Sequence, residues 1–268
     1  MKYTPRRLKT NVNISPTSPL KELAILAGGL LSIGLGVYVL LGFAVDQIAL
    51  RISIELEKKL AALFIHSFEE SSETHEKQPY VQSLIDDLQS RCTDLPYDFK
   101  VHIVDSEAVN AAAMPGGHIL IFNGLLEHVS LENELVFILS HELGHYANRD
   151  HLRGLGRGLV LLTISVVLFG SDSAVGDLLS RGLNFTEMGF SCKQEAQADE
   201  FGIETLQCAY GHVAGCTDFF SKMSKDRDSP GLGHYFASHP ENHQRITHLE
   251  RIAKDHGYPK KPLTLLPQ

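Results

Sequence analysis

The chain has 268 residues, of which 43% are hydrophobic and 21% charged, enough for one substantial folded domain with accessory segments. A formal net charge of −8 offers no basic surface for a phosphate backbone, so no nucleic-acid partner is expected. The four cysteines, Cys92, Cys192, Cys208 and Cys216, form no C-x-x-C pair, which excludes a zinc knuckle and a thioredoxin-like motif. Cys208 and Cys216 are near enough in sequence for a local disulfide, a bond that spacing alone does not establish.

Residues 1–22 form a basic tail, and residues 23–45 carry no charge and are long enough to cross a bilayer as a helix. Lys2, Arg6, Arg7, Lys9 and Lys21 precede that run, whereas Arg51, Lys58 and Lys59 follow it among acids. The basic excess predicts a cytoplasmic N-terminus and the bulk of the chain outside the cytoplasm, on the periplasmic side of a bacterial membrane. Residues 46–78 read as a stalk helix, with Leu56, Leu60, Leu63, Phe64 and Phe68 at helical spacing, followed by a polar linker.

A folded domain is expected over residues 79–257. Pro79 opens a helix with Val81, Leu84, Ile85 and Leu88 on one face. Phe99, Val101 and Ile103 alternate as in a half-buried strand, residues 108–114 form a second strand up to the Pro115-Gly116-Gly117 turn, and residues 118–122 return as a third. A helix then starts near Ser130, capped by that serine and favoured by Glu132 and Glu134 at its positive end. The apolar run 158–170 is too short for an ordinary span and reads as a core helix or a loop dipping into the bilayer surface. Residues 258–268 read as a loose tail. The expected class is α+β: a mostly helical domain with a small antiparallel sheet beside the metal-bearing helix, preceded by one transmembrane helix.

That helix carries His141-Glu142-Leu143-Gly144-His145. Residues four apart share a helix face, so His141 and His145 can present two imidazole nitrogens to one metal ion, with Glu142 placed to act as a base on a water. A catalytic zinc needs a third protein ligand, and Glu195-Ala196-Gln197-Ala198-Asp199 offers two acids one turn apart. Glu195 is expected to bind the metal, and Asp199 to accept the outer N–H of a ligating histidine.

These residues resemble the HtpX-like and CAAX-prenyl-endopeptidase group of gluzincins over about residues 80–251. H-E-L-G-H at 141–145 and E-A-Q-A-D at 195–199 carry the resemblance, with N-A-A-A-M-P-G-G from Asn110 and S-H-P from Ser238 in support. Gln197 departs from the group, which often has an acid there. The resemblance implies a zincin fold, one Zn2+ per chain, and an edge strand at Asn110, Ala111, Ala112 and Ala113 to which an extended peptide adds itself. It further implies a catalytic His239 near the metal, hydrogen-bonding an oxyanion, and an Arg245 paired with a buried acid.

His118, His151, His234 and His243 receive no role. The expected function is cleavage of membrane or envelope proteins by a membrane-anchored zinc endopeptidase in quality control. The alternative is a membrane adaptor or chaperone with a structural zinc. A role in trimming prenylated peptides follows only from one branch of the group, which has several spans. Residues 154–184 could cover the cleft at rest.

Overall fold

Pro19 suits the first turn of a helix, and from Leu23 to Val45 no charge or proline interrupts it. In the computed structural model, which describes residues 18–62, 65, 75–170, 189–225, 238–239, 243–259 and 261–266, helix α1 accordingly runs Pro19–Ala49. It extends beyond the expected run at both ends. Among the described residues it is the one helix long and apolar enough to cross a membrane. Ser32 turns its hydroxyl back onto the Gly28 carbonyl at 2.7 Å, so this polar group is satisfied within the helix.

Helix α2 (Ile54–Ala61) is capped by Ser53, whose hydroxyl accepts from the Leu56 N–H. It does not stand away as a stalk: Glu57 and Ala61 are buried against the folded domain. Leu63, Phe64 and Phe68 lie outside the described residues.

Helix α3 (Gln78–Cys92) opens at Pro79 and buries Val81, Ile85 and Leu88. Strands β1 (Lys100–Val104), β2 (Ala111–Met114) and β3 (His118–Phe122) form a sheet of order β1-β3-β2. The expected hairpin β2–β3 is antiparallel, but β1 runs parallel to β3, so the sheet is mixed. The second strand is shorter than residues 108–114. Asn110 stands just before it, its side chain accepting from the Ala111 N–H and its carbonyl from the Phe122 N–H.

After the short helix α4 (Asn123–His128) comes α5 (Glu132–Ala147), which carries the His-Glu motif. Its cap differs from expectation. The N-cap position is Leu131, and Glu134 reaches back to accept from the Ser130 and Leu131 N–H groups, replacing the serine cap. The C-terminal residues are not loose here: Leu265 bridges to Leu131, the Thr264 carbonyl accepts from the Glu132 N–H, and Asn133 accepts from the Thr264 N–H. The final segment thus satisfies the Glu132 N–H and the Asn133 side-chain oxygen at the start of α5.

Helix α6 (Asp150–Phe169) absorbs the second apolar run into one continuous helix rather than a loop. It lies along α1, where Arg157 pairs with Asp46 at 2.6 Å and a Cβ on Gly156 would meet Val45 at 2.5 Å. Its outer residues Leu159, Leu161, Val166 and Val167 are exposed.

Helix α7 (Cys192–Tyr210) packs on α5, with α8 (Asp218–Lys225) and α9 (His243–Asp255) closing the far side. The core joins Ile85 and Leu88 of α3, Val101, Ile103, Ile119 and Ile121 of the sheet, Leu135, Leu139 and Leu143 of α5, and Ile203 and Leu206 of α7. A disulfide links Cys92 at the end of α3 to Cys208 in α7, so the local Cys208–Cys216 pair is not formed.

Candidate active site

The contact of α5 with α7 sets the site. A Cβ on Gly144 would lie 2.8 Å from the Ala198 Cα, and one on Gly202 would lie 3.2 Å from the Phe137 ring. Glycine at these positions lets the two backbones approach closely, which carries Glu195 to the side of α5 that bears His141 and His145. Ser191 caps α7 and exchanges hydrogen bonds with Gln194 in a capping box, fixing the turn that precedes Glu195.

Four buried side chains converge: His141, His145, Glu195 and His239. The His141 Nε2 and His145 Nε2 atoms are 3.1 Å apart, and Glu195 oxygens lie 3.6 Å and 3.5 Å from them. His239 Nδ1 is 3.3 Å from His141 Nε2 and 3.1 Å from Glu195 Oε1. A tetrahedral ion with ligands at about 2.0–2.1 Å requires ligand–ligand edges of roughly 3.3 Å, so these donors fit one ion of zinc's size and chemistry. His239 thus faces the same point as the other three through Nδ1, while its Nε2 is 3.6 Å from Glu142 Oε1.

Glu142 is fully buried, and neither carboxylate oxygen has a hydrogen-bond partner among the described residues. An unsatisfied buried carboxylate is costly, by several kcal/mol in general, and is retained where a reacting group completes it.

The outer nitrogens are held by two separate acids. His141 Nδ1 lies 3.0 Å from Asp199 Oδ1, and Arg245 grips the same carboxylate through Nε at 2.7 Å and Nη2 at 2.6 Å. Arg245 also reaches Glu195 and lies over the Phe220 ring. His145 Nδ1 lies 3.1 Å from Asp150 Oδ2, and Gln194 donates to the other oxygen of Asp150 at 2.7 Å. Phe190 stacks on the His145 ring at 3.9 Å.

Sequence reasoning missed Asp150, Gln194 and Phe190. Gln194 stands next to Glu195, but Asp150 comes after a left-handed corner at Arg149 (φ 56), which breaks the helical periodicity that would have placed it.

Charge follows geometry. Burial pushes the His141 ring below its ordinary value even against Asp199 and Glu195, which keeps it neutral. Burial also acts to lower His145, but the carboxylates of Asp150, Glu195 and Glu142 overcome it and raise the ring to about 10. Burial acts to raise Glu195, yet His239 and Arg245 hold it well below the usual carboxylate range. Asp199 is likewise depressed, chiefly by Arg245 against its burial.

The sequence-derived edge strand is the outer strand of the sheet, with Ala111, Ala112 and Ala113 buried and packed beside α5. Asn110 Oδ1 also meets the Ser238 hydroxyl at 3.2 Å, joining this strand to the residue before His239. Two histidines assigned no role are engaged: His151 is buried against Glu57, and His118 meets His102 at 2.9 Å. His234, the side chain of His243 and residues 171–184 of the cleft-covering candidate segment lie outside the described residues.

The family model for peptidase family M48 matches residues 75–253, well over half of the chain. The mitochondrial metalloendopeptidase OMA1 of Danio rerio is 28% identical over 218 residues, covering 74% of this chain and 46% of that protein. Two metalloproteases of Escherichia coli are also similar. LoiP is 28% identical over 166 residues, covering 60% of this chain and 64% of LoiP, and YcaL is 28% identical over 175 residues, covering 62% and 66%. The chain thus spans less than two thirds of the length of OMA1 and of LoiP.

Proposed function

The chain belongs to peptidase family M48, and on that premise we propose that it is a membrane-anchored zinc endopeptidase acting on membrane or envelope proteins in quality control. The observation that carries the chemistry is Glu142, a buried carboxylate with no hydrogen-bond donor among the described residues, beside three converging ligands.

His141, His145 and Glu195 would hold the ion, with Asp199 and Asp150 fixing the tautomers of the two rings. When bound, zinc supplies a Lewis acid that polarises the scissile carbonyl and acidifies a water. Glu142 takes the proton of the attacking water and passes it to the leaving amine. An extended peptide lies along β2, bound by main-chain hydrogen bonds that demand no particular sequence. His239, whose Nδ1 lies 3.1 Å from Glu195 Oε1, would donate to the oxyanion of the tetrahedral intermediate.

Helix α1 serves as the anchor, with the N-terminus cytoplasmic and the catalytic domain on the periplasmic side of a bacterial membrane. The charge asymmetry of its flanks supports that orientation, and the Cys92–Cys208 disulfide suits an oxidising compartment. The packing of α6 along α1 keeps the site close to the membrane.

Glu142→Gln tests the reading. The variant should bind metal as wild type does and cleave casein about 10³-fold more slowly, within the range for loss of a general base. Retained proteolysis in the metal-loaded variant would contradict the mechanism. A structural zinc in an adaptor would need no base, and the buried Glu142 beside the paired histidines speaks against that alternative.

A further inference from the structure

Arg149, Asp150 and His151 are consecutive, and their side chains go three different ways. Arg149 is the only non-glycine residue with a left-handed backbone among the described residues, and it turns the chain from α5 into α6. Its guanidinium donates to the carbonyls of Ala49 and Ile52, where α1 ends. Asp150 faces His145 in the site. His151 Nε2 donates to Glu57 Oε1 at 2.8 Å, and Glu57 belongs to α2, the helix next to the anchor.

Glu57 is fully buried and collects further donors. The Gly116 N–H lies 2.9 Å from Oε1, the Tyr97 hydroxyl 3.0 Å from Oε2, and Arg149 Nη2 3.9 Å away. Although burial acts to raise it, His151 leads the contacts that hold this carboxyl below its ordinary value, so it is ionised.

Gly116 sits in the turn Pro115–Gly117 between β2 and β3, with φ +83, and a Cβ there would strike the Ala61 side chain at 2.7 Å. Helix α2 therefore rests directly on that turn. From the opposite side the Tyr146 hydroxyl reaches the carbonyls of Met114 and His118, the residues flanking the turn. Tyr146 is the neighbour of His145. One carboxylate thus ties the membrane-proximal helix both to the corner that presents Asp150 and to the turn that ends the proposed substrate strand.

We propose that Glu57 is a positioning residue for proteolysis: it sets the Asp150 carboxylate against His145 and sets the end of β2, making the connector after the anchor part of the catalytic apparatus. This rests on the function proposed above.

The test uses the full chain in detergent, wild type against Glu57→Gln, an isosteric change that removes the charge. Zinc affinity is read by competition with a chelator, and kcat and KM on casein at saturating zinc. The proposal expects a folded variant with zinc affinity weaker by about 10–100-fold, as when a carboxylate behind a ligating histidine is disturbed, together with lower kcat and higher KM. A lower melting temperature with wild-type affinity, kcat and KM in the folded range would overturn it, leaving Glu57 a purely structural group. Should Glu57→Gln not fold, His151→Phe cuts only the link to the corner and must show the same loss of zinc affinity; wild-type affinity there overturns the proposal. A wild type that binds zinc but cleaves nothing defeats the protease reading, and the affinity difference still decides the role of Glu57. A wild type that binds no zinc defeats both.

Discussion

His141 and His145 are the same side chain one helical turn apart, yet their surroundings drive them in opposite directions. His141 is buried beside a carboxylate already committed to Arg245 and stays neutral, whereas His145 faces Asp150, Glu195 and Glu142 and is raised to about 10. The metal-free site therefore holds a proton on one ligand, and zinc uptake at pH 8 should release it, measurable from the dependence of binding heat on buffer ionisation. The same shifts set the stability of chelated protein. The folded value for His145 lies above its ordinary 6.5, so its contribution is complete below about pH 6.5 and is lost as pH rises towards 10. Glu195 and Asp199 lie below their ordinary values of 4.5 and 3.8, so their contributions are present above those values and are lost as pH falls below them. The folded value for His141 lies below 6.5, so its contribution is lost as pH falls below that value, and the melting temperature of chelated protein should be highest near pH 6.5 and fall on both sides; a steady rise from pH 6.5 to 9 would contradict the assignment. Asp150→Asn should weaken zinc binding by about 10–100-fold in a chelator competition, and unchanged affinity would remove Asp150 from the ligand support. The motif at 141–145 made the paired histidines legible because helical spacing is a local property. Asp150 and Glu57 were not legible, because their roles depend on a left-handed corner and on a contact between residues 94 apart.

Between elements, the decisive contact is the close approach of α5 and α7. Gly144 fills a position that the motif leaves open, and a methyl there would meet the Ala198 backbone at 2.8 Å, an atom that cannot swing aside. Gly144→Ala should destabilise the protein by about 1–3 kcal/mol through overpacking and weaken zinc binding by moving Glu195 away from the paired histidines. Thermal unfolding and chelator competition check the two effects, and an unaffected variant would mean the helices adjust freely. Most elements were legible from hydrophobic period. Helix α2 and the C-terminal segment pack on the domain although polar and proline-rich composition reads as detachment. Glu57 is buried because its donors come from distant loops, and Thr264 and Leu265 are held by main-chain bonds to which composition is blind. The parallel β1–β3 pairing escaped for a similar reason: alternation marks a strand but not its neighbour's direction.

Across the whole molecule, α2 and α6 join an apolar helix to a buried polar centre. The chain has no tryptophan, so a single introduced indole reports its own surroundings. Val39→Trp, on the exposed apolar surface of α1, should be strongly quenched by lipids brominated in their acyl chains, whereas a tryptophan at Lys222 on α8 should not. Equal quenching at both, or none at Val39, would contradict the anchor. Bound zinc and casein cleavage, measured together on the full chain for wild type and Glu195→Gln, decide whether His141, His145 and Glu195 form a catalytic metal site. One zinc per wild-type chain with chelator-sensitive cleavage, both lost in the variant, is the predicted result. A wild type without zinc, or a variant that keeps both metal and cleavage, would contradict the site built from His141, His145 and Glu195.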